Sequence, residues 1–192
     1  MTTKQLIIQA AARLFAEKGY EGMTMKEIAR EVGIKAPSLY AFFESKEDIF
    51  AHISRNVMSD HLELAQAYSE DSDLSVREQM ERMMRMIMNF QLKETLQMKI
   101  YMRLLLFPPE VFQVDLKTEL RKLEQVEQEL FSRMFQRGIE RGEIRQTDSD
   151  ALAKTLILMM DGWFWLMQRV DEQEFWDRFE TAWNQFWEGI KA

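Results

Sequence analysis

The chain has no cysteine, which excludes disulfide frameworks and thiolate metal sites. It has only two histidines, His52 and His61, and their spacing sets them about 180° apart on a helix, so they do not converge on a metal or a catalytic proton. No glycine-rich phosphate loop and no carboxylate–histidine cluster with metal spacing is present, so catalysis is not expected and no cofactor is expected. Seven glycines and three prolines in 192 residues favour long uninterrupted helices. No stretch alternates with period two over a useful length, so the expected class is all-α. No segment approaches the roughly 18 consecutive apolar residues of a membrane span. The start, Leu6 to Phe15, is interrupted by Gln9 and Arg13 and reads as a folded amphipathic helix rather than a signal peptide. A cytoplasmic location without membrane contact is the expectation.

What is present is unevenly distributed. The net charge is −7, yet residues 1–50 hold seven basic and seven acidic side chains, leaving 18 basic and 25 acidic in the rest. The excess acid therefore lies outside the first 50 residues. A neutral head on an acidic body is able to meet a phosphate backbone locally while discouraging loose binding elsewhere.

That head carries the most specific pattern. Thr24 with Glu27 forms the sequence of a capping box, Ile28, Ala29 and Val32 give one apolar face, and Gly33 ends the helix in a left-handed residue. A second helix follows within a few residues, with Pro37 in its first turn and Leu39 and Phe43 placed to pack back on the first. Lys35, Ala36, Ser38 and Tyr40 are left facing outward. Two short helices joined this way form a helix-turn-helix, whose second helix lies in the major groove of DNA. Lys35 suits guanine acceptors, Ser38 either partner type, and the Ala36 methyl a thymine methyl, while Pro37 adds surface without a donor. Tyr40, Lys46 and backbone amides near Thr24 and Lys46 are placed for phosphates.

The run from Leu39 to Ile49, Leu-Tyr-Ala-Phe-Phe-Glu-Ser-Lys-Glu-Asp-Ile, resembles the signature of the TetR family of bacterial transcriptional regulators. Ala11 to Tyr20 resembles the family's first helix and the glycine–aromatic corner after it, so the likeness spans roughly residues 5–52. The chain departs from the family's usual pattern at Lys35, where a small hydroxyl residue is common, at Phe42, where a histidine is frequent, and at Glu44, where a basic or small residue is usual. The resemblance implies a dimeric repressor of a palindromic double-stranded operator, released by a small, largely apolar effector held in the helical body.

Beyond the head, capping signals divide the chain into helices opening at Ser45, Ser75, Thr95, about Asp115, Asp148 and Asp171. The helix from Ser45 is expected to reach about Tyr68 and to pass effector binding on to the head. The expected domains are a helix-turn-helix domain over 1–50 and an effector-binding and dimerisation domain over 51–192. The last two helices are dense in aromatics, and Trp163, Met167, Phe175, Phe179, Trp183, Phe186 and Trp187 are candidates for a two-fold interface with a second copy. The other reading of that stripe is core within one chain. Fifteen methionines, an adaptable lining for irregular space, mark a candidate apolar effector pocket. Its candidate residues are Met84, Met98, Tyr101, Met102, Phe107, Phe131, Met134, Met160, Asp161 and Trp163. The same methionines fit a ligand-free core. Asp161 suits either a cationic effector or a hydrogen bond from an adjacent helix. The rival to the whole reading is a helical ligand-binding or scaffold protein that does not touch DNA.

Overall fold

The computed structural model describes residues 1–66, 74–93 and 95–192. Local capping chemistry starts most of its helices. Thr2 Oγ1 accepts the Gln5 amide and Gln5 Oε1 accepts the Thr2 amide, opening α1 (Thr3–Gly22). Thr24 opens α2 (Met25–Val32), which Gly33 ends at φ 77°. Pro37 stands in the first turn of α3 (Ala36–Leu39), and Ser45 accepts the Asp48 amide at the start of α4 (Lys46–Gln66). Ser75 and Glu78 complete a reciprocal box before α5 (Val76–Leu92). Thr95 caps α6 (Leu96–Leu106), which ends ahead of Pro108 and Pro109. A single 3-10 turn, Glu110–Phe112, then leads into α7 (Gln113–Glu140). Asp148 and Asp171 cap α8 (Ser149–Leu166) and α9 (Glu172–Ile190). No strand forms among the described residues; one isolated antiparallel bridge joins Ile144 and Lys191. The protein is all-α, as its composition and periodicity predict.

The helices gather into two units: Met1–Glu63 with Glu94–Leu120, and Leu64–Lys93 with Arg121–Ala192. The first unit therefore extends past residue 50 and takes in α6. The cause is packing: Ile100 and Leu104 of α6 are buried in one cluster with Ile7, Leu14 and Phe15 of α1, Ile28 of α2, Leu39 of α3 and Phe50 of α4. The core of the second unit joins Met80, Met84 and Met88 of α5, Phe131 and Phe135 of α7, Leu156 and Trp163 of α8, and Phe175, Phe179 and Trp183 of α9.

Candidate nucleic-acid interface

The turn between α2 and α3 is held by its own backbone, with the Gly33 amide on the Arg30 carbonyl and the Ile34 amide on the Ala29 carbonyl. Ile28, Ala29, Leu39 and Phe43 are buried, which fixes the pair against α1 and α4. What remains outside is Lys35, Pro37, Ser38 and Tyr40, all exposed, with Ala36 half-buried. Lys35 occupies the N-cap of α3, makes no side-chain cap, and forms no ion pair among the described residues. Tyr40 is 58% exposed and follows directly on α3. The helical track is short, yet the Phe43 amide still reaches the Leu39 carbonyl at 3.0 Å, so the turn continues past Leu39. Phe42 is 40% exposed beside Tyr40 and brings no donor to that surface.

Two residues expected at this surface are already engaged. Thr24 Oγ1 accepts the Glu27 amide and its hydroxyl donates to Glu27 Oε2, each at 3.2 Å. The return half of the expected capping box does not form, because Lys18 lies 2.6 Å from the other Glu27 oxygen and holds the carboxylate. That hydrogen bond from Lys18 is the main cause of a Glu27 carboxyl held below its ordinary range. Lys46 turns into the unit: Nζ donates to the Tyr20 carbonyl at 2.9 Å and sits 3.9 Å from the Tyr20 ring centroid. The Tyr20 hydroxyl in turn donates to Glu47 Oε1 at 2.7 Å, and burial followed by the Glu47 contact pushes the phenol above its ordinary range. Lys46 thus closes the end of α1, a role that its sequence position next to Ser45 does not announce.

The candidate effector residues divide between the two units. Met84, Phe131, Met134, Met160 and Trp163 are buried together in the core of the second. In the first, Met98 is buried, Tyr101 packs against the core, Met102 is half-buried and Phe107 is 74% exposed. Phe107 therefore walls no enclosed space within its unit. Asp161 is exposed, and partial burial of its carboxyl, then the Glu124 charge, raise it above the ordinary range. Its neighbour Glu127 on α7, not singled out from the sequence, is pushed up to about 7 by burial, Asp161 and Glu124.

The candidate interface residues lie largely in the core of the second unit. Trp163, Phe175, Phe179, Trp183 and Trp187 are all buried within one chain, and Met167 and Phe186 are half-buried against the same cluster. α5 and α7 cover this stripe, contributing Met80, Met83, Phe131 and Phe135 to the same cluster. The large apolar residues that α8 leaves outside are Leu158, 71% exposed, and Trp165, 46% exposed. Helical spacing carries the signal: Trp165 is two positions, about 200°, from Trp163 and so faces away from it.

Residues 7–53 match the model of bacterial regulatory proteins of the tetR family. The HTH-type transcriptional regulator YhgD of Bacillus subtilis (strain 168) is 25% identical over 154 residues, 80% of this chain and 78% of that protein. IcaR of Staphylococcus aureus (strain Newman), negative regulator of the biofilm operon icaADBC, is 51% identical over 47 residues, 24% of this chain and 25% of IcaR. The structure of a TetR family protein from Vibrio parahaemolyticus superposes with a TM-score of 0.64 at 25% identity, covering 100% of both chains. The matched residues run from α1 into α4 and include the whole of the α2–α3 pair, so this N-terminal head is that of the TetR family of bacterial transcriptional regulators.

Proposed function

We propose that the protein is a cytoplasmic repressor that binds a palindromic operator as a dimer and is released by a small, largely apolar effector. The observation that carries the DNA-binding half is the exposed row Lys35, Pro37, Ser38 and Tyr40, standing on a buried α2–α3 pair. A side chain reads a base edge only when the element beneath it is rigid and the tip is free, and this row meets both conditions. Lys35 and Ser38 face bases, Ala36 adds a methyl contact, and Tyr40 reaches a phosphate. Repression is supported by the 51% identity of the head to IcaR, a negative regulator. Dimerisation uses the outer face of α8, where Leu158 and Trp165 flank Gly162, whose position leaves open space for a close neighbour. The methionine-rich core of the second unit supports an adaptable apolar effector site.

The test is binding of the purified protein to duplex DNA from upstream of its own gene, titrated against salt. Sequence-dependent binding with a steep salt slope is the expected result. Weak binding indifferent to sequence, persisting after selection from a random pool, would leave a helical ligand-binding protein that does not act on DNA. An effector that binds without changing DNA affinity would remove the release mechanism.

A further inference from the structure

A feature of the first unit that contact with DNA does not explain is the break in α1. Gly19 adopts φ 74° and ψ −178°, inside the span Thr3–Gly22, so the helical ladder is interrupted there. Interruption leaves the carbonyls of the preceding turn short of their usual amide partners. Arg103 of α6 supplies substitutes: its Nε donates to the Ala16 carbonyl at 2.8 Å and its Nη2 to the Glu17 carbonyl at 3.0 Å. A guanidinium presents such donors as a planar fork, and a cation also suits the negative end of a helix. The site is tight: a methyl group on Gly19 would stand 3.2 Å from Arg103 Nη1, so the guanidinium would have to give way slightly. Glycine is thus favoured by the left-handed backbone, and its missing side chain also eases the approach of the arginine. On the far side of the break, Lys46 at the start of α4 caps the Tyr20 carbonyl. α1 therefore has its two interrupted ends held by cations from two different helices.

We propose that Arg103 is a positioning residue for DNA binding, clamping α6 to the Gly19 break of α1 so that the placement of α6 sets the placement of the reading head. The inference rests on the DNA-binding reading above for its functional half. α1 buries Ile7, Leu14 and Phe15 in one cluster with Ile28 and Leu39, the residues that seat α2 and α3. A shift of α1 is therefore passed to the helix pair through packed side chains, and Arg103 itself touches no DNA.

The experiment compares the full-length protein with Arg103→Ala and Arg103→Lys, using a duplex that the unaltered protein recovers from a random-sequence pool. Arg103→Ala is expected to weaken duplex binding about tenfold, as it would if only about a tenth of the molecules kept α1 in its binding-competent place. Amide hydrogen exchange is expected to quicken at residues 16–23 beyond the rest of the unit, with the thermal midpoint lowered by a few degrees. Arg103→Lys keeps the charge and a donor group but loses the planar fork, and is expected to recover part of the affinity. Unchanged affinity in Arg103→Ala would overturn the proposal. So would exchange rising evenly over α1–α4 and α6, since that marks general loss of stability rather than loss of position. If the pool yields no duplex, the DNA reading fails by itself. The clamp is then decided by exchange: acceleration at 16–23 beyond the rest of the unit upholds it, and any other pattern ends it.

Discussion

Lys35 and Lys46 lie eleven positions apart in one short stretch and are both expected from sequence to meet DNA, yet their surroundings differ in kind. Lys35 is exposed, with no side-chain cap at α3. Lys46 is 20% exposed at its side chain and committed to the Tyr20 carbonyl and ring. Their substitutions should therefore separate. Lys35→Ala is expected to cost about 1–2 kcal/mol of operator affinity while leaving stability unchanged. Lys46→Met is expected to lower unfolding stability by about 1–2 kcal/mol and to leave the salt slope of DNA binding unaltered. Urea denaturation beside a DNA titration reads both. Equal loss of DNA affinity with intact stability in Lys46→Met would return that residue to the phosphate contacts.

Between helices, the contact of α7 with α8 carries an energy that depends on pH. Glu127 titrates near 7 because burial, Asp161 and Glu124 all disfavour its charge. Below its ordinary value of 4.5 the group is protonated folded or unfolded, and contributes nothing. As pH rises from 4.5 to about 7 the unfolded chain ionises first, so stability falls across that window and levels off above it. Glu127→Gln removes the cost of ionisation. It is expected to raise stability at pH 8 by about 1–3 kcal/mol and to flatten the dependence below pH 7. Denaturation midpoints at pH 5 and pH 8 check the sign. A variant that matched the parent at both would show that Glu127 keeps its charge comfortably.

At the level of the proposed dimer, the question is which apolar surface would meet a second copy. Trp183 is 1% exposed and stacks within a run of rings, its plane 7° from that of Phe179. Trp183→Ala is expected to destabilise the fold by about 3–5 kcal/mol, the cost of an unfilled core site. Leu158 has no such burial to lose. Leu158→Glu is expected to leave the fold intact and convert a dimer to a monomer, since a charge in the centre of a two-fold contact meets its own copy. Sedimentation equilibrium with circular dichroism distinguishes the two. A dimer that survived Leu158→Glu would place the interface elsewhere.

The sequence by itself determined the elements and the face of the reading head. Caps such as Thr2 with Gln5, Ser75 with Glu78 and Asp171 act over three residues, and Gly33 ends α2 by its own backbone freedom, so these features need no distant partner. The alternation of Leu39 and Phe43 inside with Lys35, Ser38 and Tyr40 outside follows from helical period alone. Tertiary structure decided what depends on which helix comes alongside. The aromatic face of α9 became core because α5 and α7 cover it, leaving Leu158 and Trp165 of α8 outside. Lys46 turned inward because the end of α1 offered it a carbonyl, and Arg103 found its partners 86 and 87 positions away. A local pattern states which face of a helix is apolar or charged, but the neighbour that meets that face is chosen by the packing of the whole chain.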